Sequence, residues 1–214
     1  MIRPLTVAVS QRIDEWKDRG ERRDALDQRL TLWVAEAGMV PLPVPNGLGE
    51  LLPRWLAATA PGGILLSGGN DVGNAPDRDS TEQRLLDYAA KRDLPVLGIC
   101  RGMQFMAVCA GGQLVHVSGH VRTRHWLNSG PGWPNSVNSY HSLGLNGCPP
   151  GYNVTARSED GGIEAIRHQV RNWEGWMWHP ERDNEADDTS LARFRALFGT
   201  PHDGAGQGSR RGTL

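Results

Sequence analysis

Long apolar runs are absent. No stretch of the 214 residues approaches the roughly 20 consecutive apolar positions that a membrane helix needs, and Met1 to Gln11 carries no signal-peptide core. The expectation is a cytoplasmic protein that neither spans nor coats a membrane. Charge of one sign is also lacking: 23 Lys+Arg against 24 Asp+Glu give a net charge of -1. That balance offers no general electrostatic grip on nucleic acid or an anionic surface. Cysteine is scarce, with three residues (Cys100, Cys109 and Cys148) and no CxxC pair. An odd count without close pairs fits neither a disulfide framework nor a zinc ribbon. GxGxxG, Gly-Lys-[Ser/Thr] and HExxH are all missing, which argues against dinucleotide, P-loop and zincin sites. His116, His120 and His125 cluster in sequence, but on a segment that reads as a glycine-bearing loop. No metal and no organic cofactor is expected.

What is present is a pattern of short elements. Gly (27) and Pro (14) are plentiful, which predicts many tight turns. Leu5–Val9, Gly63–Ser67 and Pro95–Ile99 are apolar throughout, as strands buried on both faces should be. Between them, Leu26, Leu30, Trp33 and Ala37 recur at helical spacing before Gly38, and Leu48, Leu51, Leu52, Trp55 and Leu56 make a second amphipathic stretch. Ser80-Thr-Glu-Gln83 reads as a capping box opening a helix to about Lys91, and Met103–Ala110 as the next helix. Val40–Pro45, with three prolines, can be only an edge strand. Gly111–Gly151 reads as loop-rich. Asn153–Ala156, Ile163–His168 and Trp173–Trp178 look like strands, and Leu191–Phe198 like a last helix. Buried strands alternating with amphipathic helices imply one α/β domain over 1–198 around a mostly parallel sheet, with a mobile tail over 199–214.

Three segments carry chemistry. Gly98-Ile-Cys-Arg-Gly102 joins a buried strand to a helix, the elbow in which flanking glycines let one side chain project above a sheet. A cysteine there meets a helix N-terminus, which favours thiolate. Cys109 and Cys148 lack that setting and read as buried, inert thiols. A nucleophile needs a base and the base an orienter, and Trp178-His-Pro-Glu181 supplies both: in an extended segment, His179 and Glu181 face the same side. Ser67-Gly-Gly-Asn-Asp71, at the end of another buried strand, offers backbone N–H groups to an oxyanion.

Together, Ser67–Asp71, Pro95-Val-Leu-Gly-Ile-Cys-Arg-Gly-Met-Gln104 and Trp178–Glu181 resemble the class I glutamine amidotransferase family, within it the stand-alone gamma-glutamyl hydrolases, from Thr6 to about Phe198. The resemblance implies a three-layer α/β/α, flavodoxin-like fold. It also implies Cys100 as nucleophile, His179 as acid/base, Glu181 as its orienter and the N–H groups of Gly69 and Arg101 as oxyanion hole. Gln104 matches a glutamine that helps hold the glutamyl group. Asn138–Ser142 resembles the segment lining the glutamyl pocket, which makes Tyr140, His141 and Ser142 contacts, with a hydrogen-bonded structural role open for His141. Asn70 joins them as a substrate-binding residue.

The leaving group is narrowed by arginines. Ser10-Gln-Arg12, the pair Arg22 and Arg23 at a helix start, and Met-Trp-His-Pro-Glu-Arg182 are similar to the gamma-glutamyl-CDP-amidate hydrolase of capsule biosynthesis. A diphosphate wants guanidinium partners, which Arg12, Arg22, Arg23 or Arg101 could supply. The favoured small-molecule substrate is therefore a gamma-glutamyl nucleotide amidate. Gamma-glutamyl-gamma-aminobutyrate is the alternative, as is a glutaminase that passes ammonia to a partner synthetase; a homodimer is compatible with either. A dienelactone-type α/β-hydrolase also carries Gly-x-Cys-x-Gly, but its acid, here Asp160, precedes its histidine. A binding protein that lost catalysis would not keep Cys100, His179 and Glu181 together. Of the tryptophans, Trp33, Trp55, Trp176 and Trp178 should pack in the core, while Trp126 and Trp133 could stack on a base or sugar or, the more frequent role, anchor the loop-rich stretch.

Overall fold

The computed structural model of the protein describes residues 4–183 and 188–199; the tail expected from sequence lies outside them apart from Gly199. In chain order the elements are β1 (Thr6–Val9), β2 (Arg12–Trp16), β3 (Glu21–Ala25), α1 (Gln28–Glu36), β4 (Val40–Pro43), α2 (Leu52–Thr59), β5 (Gly63–Leu66), α3 (Pro76–Arg92), β6 (Val96–Ile99) and α4 (Arg101–Cys109). There follow β7 (Leu114–His116), β8 (Val121–Ser129), β9 (Ser136–Tyr140), β10 (Leu143–Leu145), β11 (Tyr152–Ser158), β12 (Ile163–His168), β13 (Trp173–Trp176) and α5 (Asp188–Phe198).

A nine-stranded sheet runs β4-β1-β5-β6-β13-β12-β11-β8-β9. Its first five strands are parallel. Numbered among themselves, they follow the order 2-1-3-4-5 of flavodoxin-like proteins. The other four continue it antiparallel. Alternating strand side chains feed two cores. Ala8, Ile64, Leu66 and Val96 meet α2, α3 and α4 on one face; Val7, Val9, Leu65, Leu97 and Ile99 meet α1 and α5 on the other. This is the three-layer α/β/α arrangement. β4 is an edge strand, so its prolines forgo no ladder bond on the open side. Trp176 and Trp178 stack at 5.3 Å, with Trp33 and Trp133 edge-on to Trp176. Trp126 lies exposed on β8.

Four local expectations are corrected. α3 begins at Pro76, four residues before the expected cap, because Pro at the first position and Asp77 and Asp79 in the first turn suit a helix start. Arg22 and Arg23 open no helix: they lie on β3, which pairs with β2 in a hairpin. The stretch taken as loop holds β7 to β10, whose alternating polar side chains carry too little apolar signal to read as strands. Cys109 and Cys148 are exposed rather than buried. The Cys109 Sγ donates to Gln83 Oε1 at 3.1 Å, and although the residue reaches the surface, desolvation of its sulfur by the surrounding packing pushes the thiol up to about 11. No described helix is long and apolar enough to cross a membrane.

Candidate active site

The neighbouring parallel strands β5, β6 and β13 end side by side, and each releases one segment at its carboxyl end. From β6 the chain enters α4 through Cys100 at φ 50° and ψ -105°, a strained conformation for a residue with a side chain. The turn closes because Gly102 comes so near Leu66 that a Cβ there would strike its carbonyl oxygen, and a Cβ on Gly98 would lie 2.6 Å from Gly102. Cys100 N–H donates to the Trp176 carbonyl at 2.7 Å, which ties the elbow to β13. The first N–H groups of α4, Arg101's among them, have no partner within the helix.

From β13 comes His179, whose Nδ1 lies 2.7 Å from Glu181 Oε1. Instead of an extended segment, Pro180–Arg182 form a 3-10 turn, which brings the carboxylate back under the ring. Asn138 on β9 fixes the histidine backbone from both sides: its Oδ1 accepts from His179 N–H (2.9 Å) and its Nδ2 donates to the His179 carbonyl (2.7 Å). Burial alone would push the imidazole down. Hydrogen bonds to Cys100 and Glu181 and their negative charge outweigh it, and His179 rises to about 9. The imidazole thus holds its proton more firmly than a free one, between a sulfur and a carboxylate, the pairing that activates a thiol.

From β5 comes Ser67-Gly-Gly-Asn70. The His179 ring lies where a Cβ of Gly68 would be, 2.6 Å from Cε1, so only glycine fits. A buried network holds this turn. Arg78 Nη2 donates to the Ser67 carbonyl at 2.6 Å, and Glu82 accepts from Ser10 Oγ (2.7 Å), from Arg78 Nε (2.9 Å) and from Arg101. Arg101 also pairs with Asp79 and donates to the Asn70 carbonyl at 3.2 Å. Sequence reasoning missed Arg78 and the network roles of Ser10, which reads there as part of the Ser10-Gln-Arg12 motif, and of Glu82, which reads as part of a helix cap.

A cleft of about 300 Å³ is lined by Arg12, Gly68, Gly69, His179 and Glu181, among others. A second, of about 550 Å³, shares Arg12 with it and adds Trp16, Arg22 and Asn70. Arg12 pairs with Asp14, and Arg22 with Glu15 and Asp77, all largely exposed. Such pairs exchange partners readily. Arg23 pairs with Glu21. The Arg101 guanidinium is buried against two carboxylates and is not free for a diphosphate. The Asn70 side chain bonds both backbone groups of Ile13 at 2.8 and 3.0 Å, so it anchors the hairpin. Tyr140 stands edge-on to His179 at 5.9 Å. Gln104 Nε2 donates to the Leu143 carbonyl at 2.8 Å, and His141 Nδ1 reaches the same oxygen at 3.1 Å. Ser142 is exposed and its carbonyl accepts from Val117 N–H. Asp160 bonds His120, not His179, which removes the dienelactone-type arrangement.

The family model for glutamine amidotransferase class I matches residues 42–197. The chain belongs to this family. Among its relatives is the glutamine-hydrolyzing GMP synthase subunit of Methanothrix thermoacetophila, 33% identical over 60% of this chain and 75% of the relative. The gamma-glutamyl-CDP-amidate hydrolase of Campylobacter jejuni is 27% identical over 61% and 67%. The gamma-glutamyl-gamma-aminobutyrate hydrolase of Escherichia coli O157:H7 is 27% identical over 84% and 86%. Family membership makes the chemistry enzymatic amide hydrolysis.

Proposed function

We propose that the protein hydrolyses a gamma-glutamyl amide through a thioester on Cys100. The observation that carries this is the convergence of a strained elbow cysteine and a His179–Glu181 pair on adjacent parallel strands. Cys100 thiolate attacks the gamma-carbonyl carbon, and the N–H groups of Gly69 and Arg101 take up the oxyanion. The C–N bond breaks as His179 gives its proton to the departing nitrogen. His179 then accepts a proton from water, whose oxygen attacks the thioester; glutamate leaves and the thiolate returns. Glu181 holds the imidazole in register throughout.

For the leaving group we keep the nucleotide amidate. The hairpin cleft adjoins the His179 cleft through Arg12, and offers Arg22 for phosphate and Trp16 for a flat ring. The test is glutamate release by the purified chain from gamma-glutamyl-CDP-amidate, gamma-glutamyl-gamma-aminobutyrate and glutamine. Turnover of the nucleotide adduct at least ~10-fold above the other two, lowered by Arg12→Ala and Arg22→Ala, supports this assignment. Equal turnover of all three overturns the arginine site while leaving the hydrolase. Turnover of none without an added synthetase favours the ammonia-delivering role suggested by the Methanothrix relative.

The pH profile is a separate expectation. His179 has a raised pKa of about 9, so its proton is present below that value and lost as pH rises through it. The acylation rate should therefore fall on the alkaline side near pH 9. Glu181→Gln removes a charge that holds the proton, so that limb should move to lower pH. A single-turnover pH series on both proteins checks it; an unmoved limb contradicts the assigned role of Glu181.

A further inference from the structure

Away from the cysteine, the antiparallel extension of the sheet buries a group of polar side chains that the reaction does not use. His120 just before β8, His125 on β8, His141 just after β9 and Glu164 on β12 converge, with His120, His141 and Glu164 at 5% exposure or less. Five of their atoms are buried without a hydrogen-bond partner: His120 Nδ1, His125 Nε2, His141 Nε2 and both Glu164 carboxylate oxygens. Each such atom has given up its water without a replacement, a cost that is largest for a carboxylate. His120, His125 and Glu164 bring ligand atoms into one group, and His141 reaches that group at Glu164; together they call for something that binds them.

We propose that these four residues bind a divalent transition metal, with zinc the ion that their chemistry suits. Ligand atoms of His120, His125 and Glu164 lie within 4.8 Å of one another. Glu164 Oε1 is 3.5 Å from His120 Nδ1 and 3.6 Å from His141 Nε2. These separations exceed hydrogen-bond length, yet they match the roughly 3.4 Å between ligands that tetrahedral bonds of about 2.1 Å would set. The outer nitrogens are arranged for the same purpose. His120 Nε2 lies 2.8 Å from Asp160 Oδ2, and His141 Nδ1 lies 3.1 Å from the Leu143 carbonyl. Donation of an N–H at each leaves the inner nitrogen unprotonated, the arrangement usual for metal-bound histidine. Three neutral imidazoles and one carboxylate, with Asp160 behind, balance the two positive charges. Four protein ligands in a buried site leave no open position, so the metal is structural rather than catalytic. Its placement gives it a purpose: Tyr140 and Asn138, which flank and hold His179, lie on β9, the strand that His141 directly follows. The expectation of no metal arose because the strand holding His125 reads from sequence as loop, and because Glu164 is distant in the chain.

The test uses the full chain, purified without a histidine tag. Elemental analysis should give about one zinc per chain. The protein stripped with a chelator and loaded with Co2+ should show the intense visible bands of tetrahedral cobalt. Asp160→Asn should weaken Zn2+ binding, measured against a chromophoric chelator, by about 10-fold. His125→Ala, at a half-buried position that tolerates truncation, should weaken it further. Cys100→Ala and the exposed His116→Ala should leave the stoichiometry unchanged. Absence of zinc together with absence of cobalt bands overturns the proposal. So does stoichiometric binding that survives His125→Ala and Glu164→Gln.

Discussion

Cys100→Ala is expected to abolish glutamate release from every gamma-glutamyl amide, a loss of ~10⁴-fold or more, as for removal of other covalent nucleophiles. The fold should persist. Alanine keeps a Cβ at φ 50° and ψ -105°, so the strain at the elbow is neither relieved nor increased. Cys100→Gly should be equally inactive but more stable, by about 1–3 kcal/mol, because glycine removes the cost of that conformation. A stabilising substitution that destroys activity would mark the strain as something the site maintains for function. The alanine variant should also lower the His179 pKa from about 9, since contact with sulfur helps raise it. Denaturation curves, an NMR titration of His179 and turnover together check the point. Residual turnover, or an unmoved His179 titration with intact fold, would sink the proposed mechanism.

The parts of the molecule legible in the sequence were those where one physical signal dominates. β1, β5 and β6 are short runs buried on both faces, and Gly-Ile-Leu-Leu or Val-Leu-Gly-Ile between polar segments reads as nothing else. The elbow was legible because two glycines and a cysteine are needed at one strand-to-helix junction, and the His179–Glu181 pair because its partners are two residues apart. β8 was not legible. Its outward side chains face water and its inward ones include His125, so the alternation pairs polar with polar. The β2–β3 hairpin, Arg-Ile-Asp-Glu-Trp against Glu-Arg-Arg-Asp-Ala, is held by cross-strand charges and by Arg23 over Trp16 at 4.9 Å rather than by an apolar face. Buried ionic groups were the deepest blind spot. Arg78 and Glu82 look like any solvated helix pair at i,i+4, and only the fold reveals that both have no exposure.

That pair sets the second large expectation, a loss of about 3–5 kcal/mol in Glu82→Ala. The Glu82 carboxylate neutralises two buried guanidiniums, and burial already pushes Arg78 down to about 10 and Arg101 to about 9. Removing it leaves Arg78 buried without its ion-pair partner and leaves Arg101 with Asp79 alone against that like charge. A domain of this size holds a stability of about 5–15 kcal/mol, so the variant should be marginal at physiological temperature. Glu82→Gln keeps the shape and the acceptor for Ser10 Oγ, and should lose less. The double variant Glu82→Met with Arg78→Met should be more stable than Glu82→Ala, since that ion pair is replaced as a unit while Arg101 keeps Asp79. Urea denaturation of the three gives the ranking, and a loss under about 1 kcal/mol for Glu82→Ala would contradict it. The site should respond at temperatures where the variants remain folded. Arg78 holds the Ser67 carbonyl, and Arg101 stands immediately after the nucleophile. Loosening them should shift the Gly69 and Arg101 N–H groups relative to each other, lowering kcat more than it raises KM, because an oxyanion hole acts on the transition state.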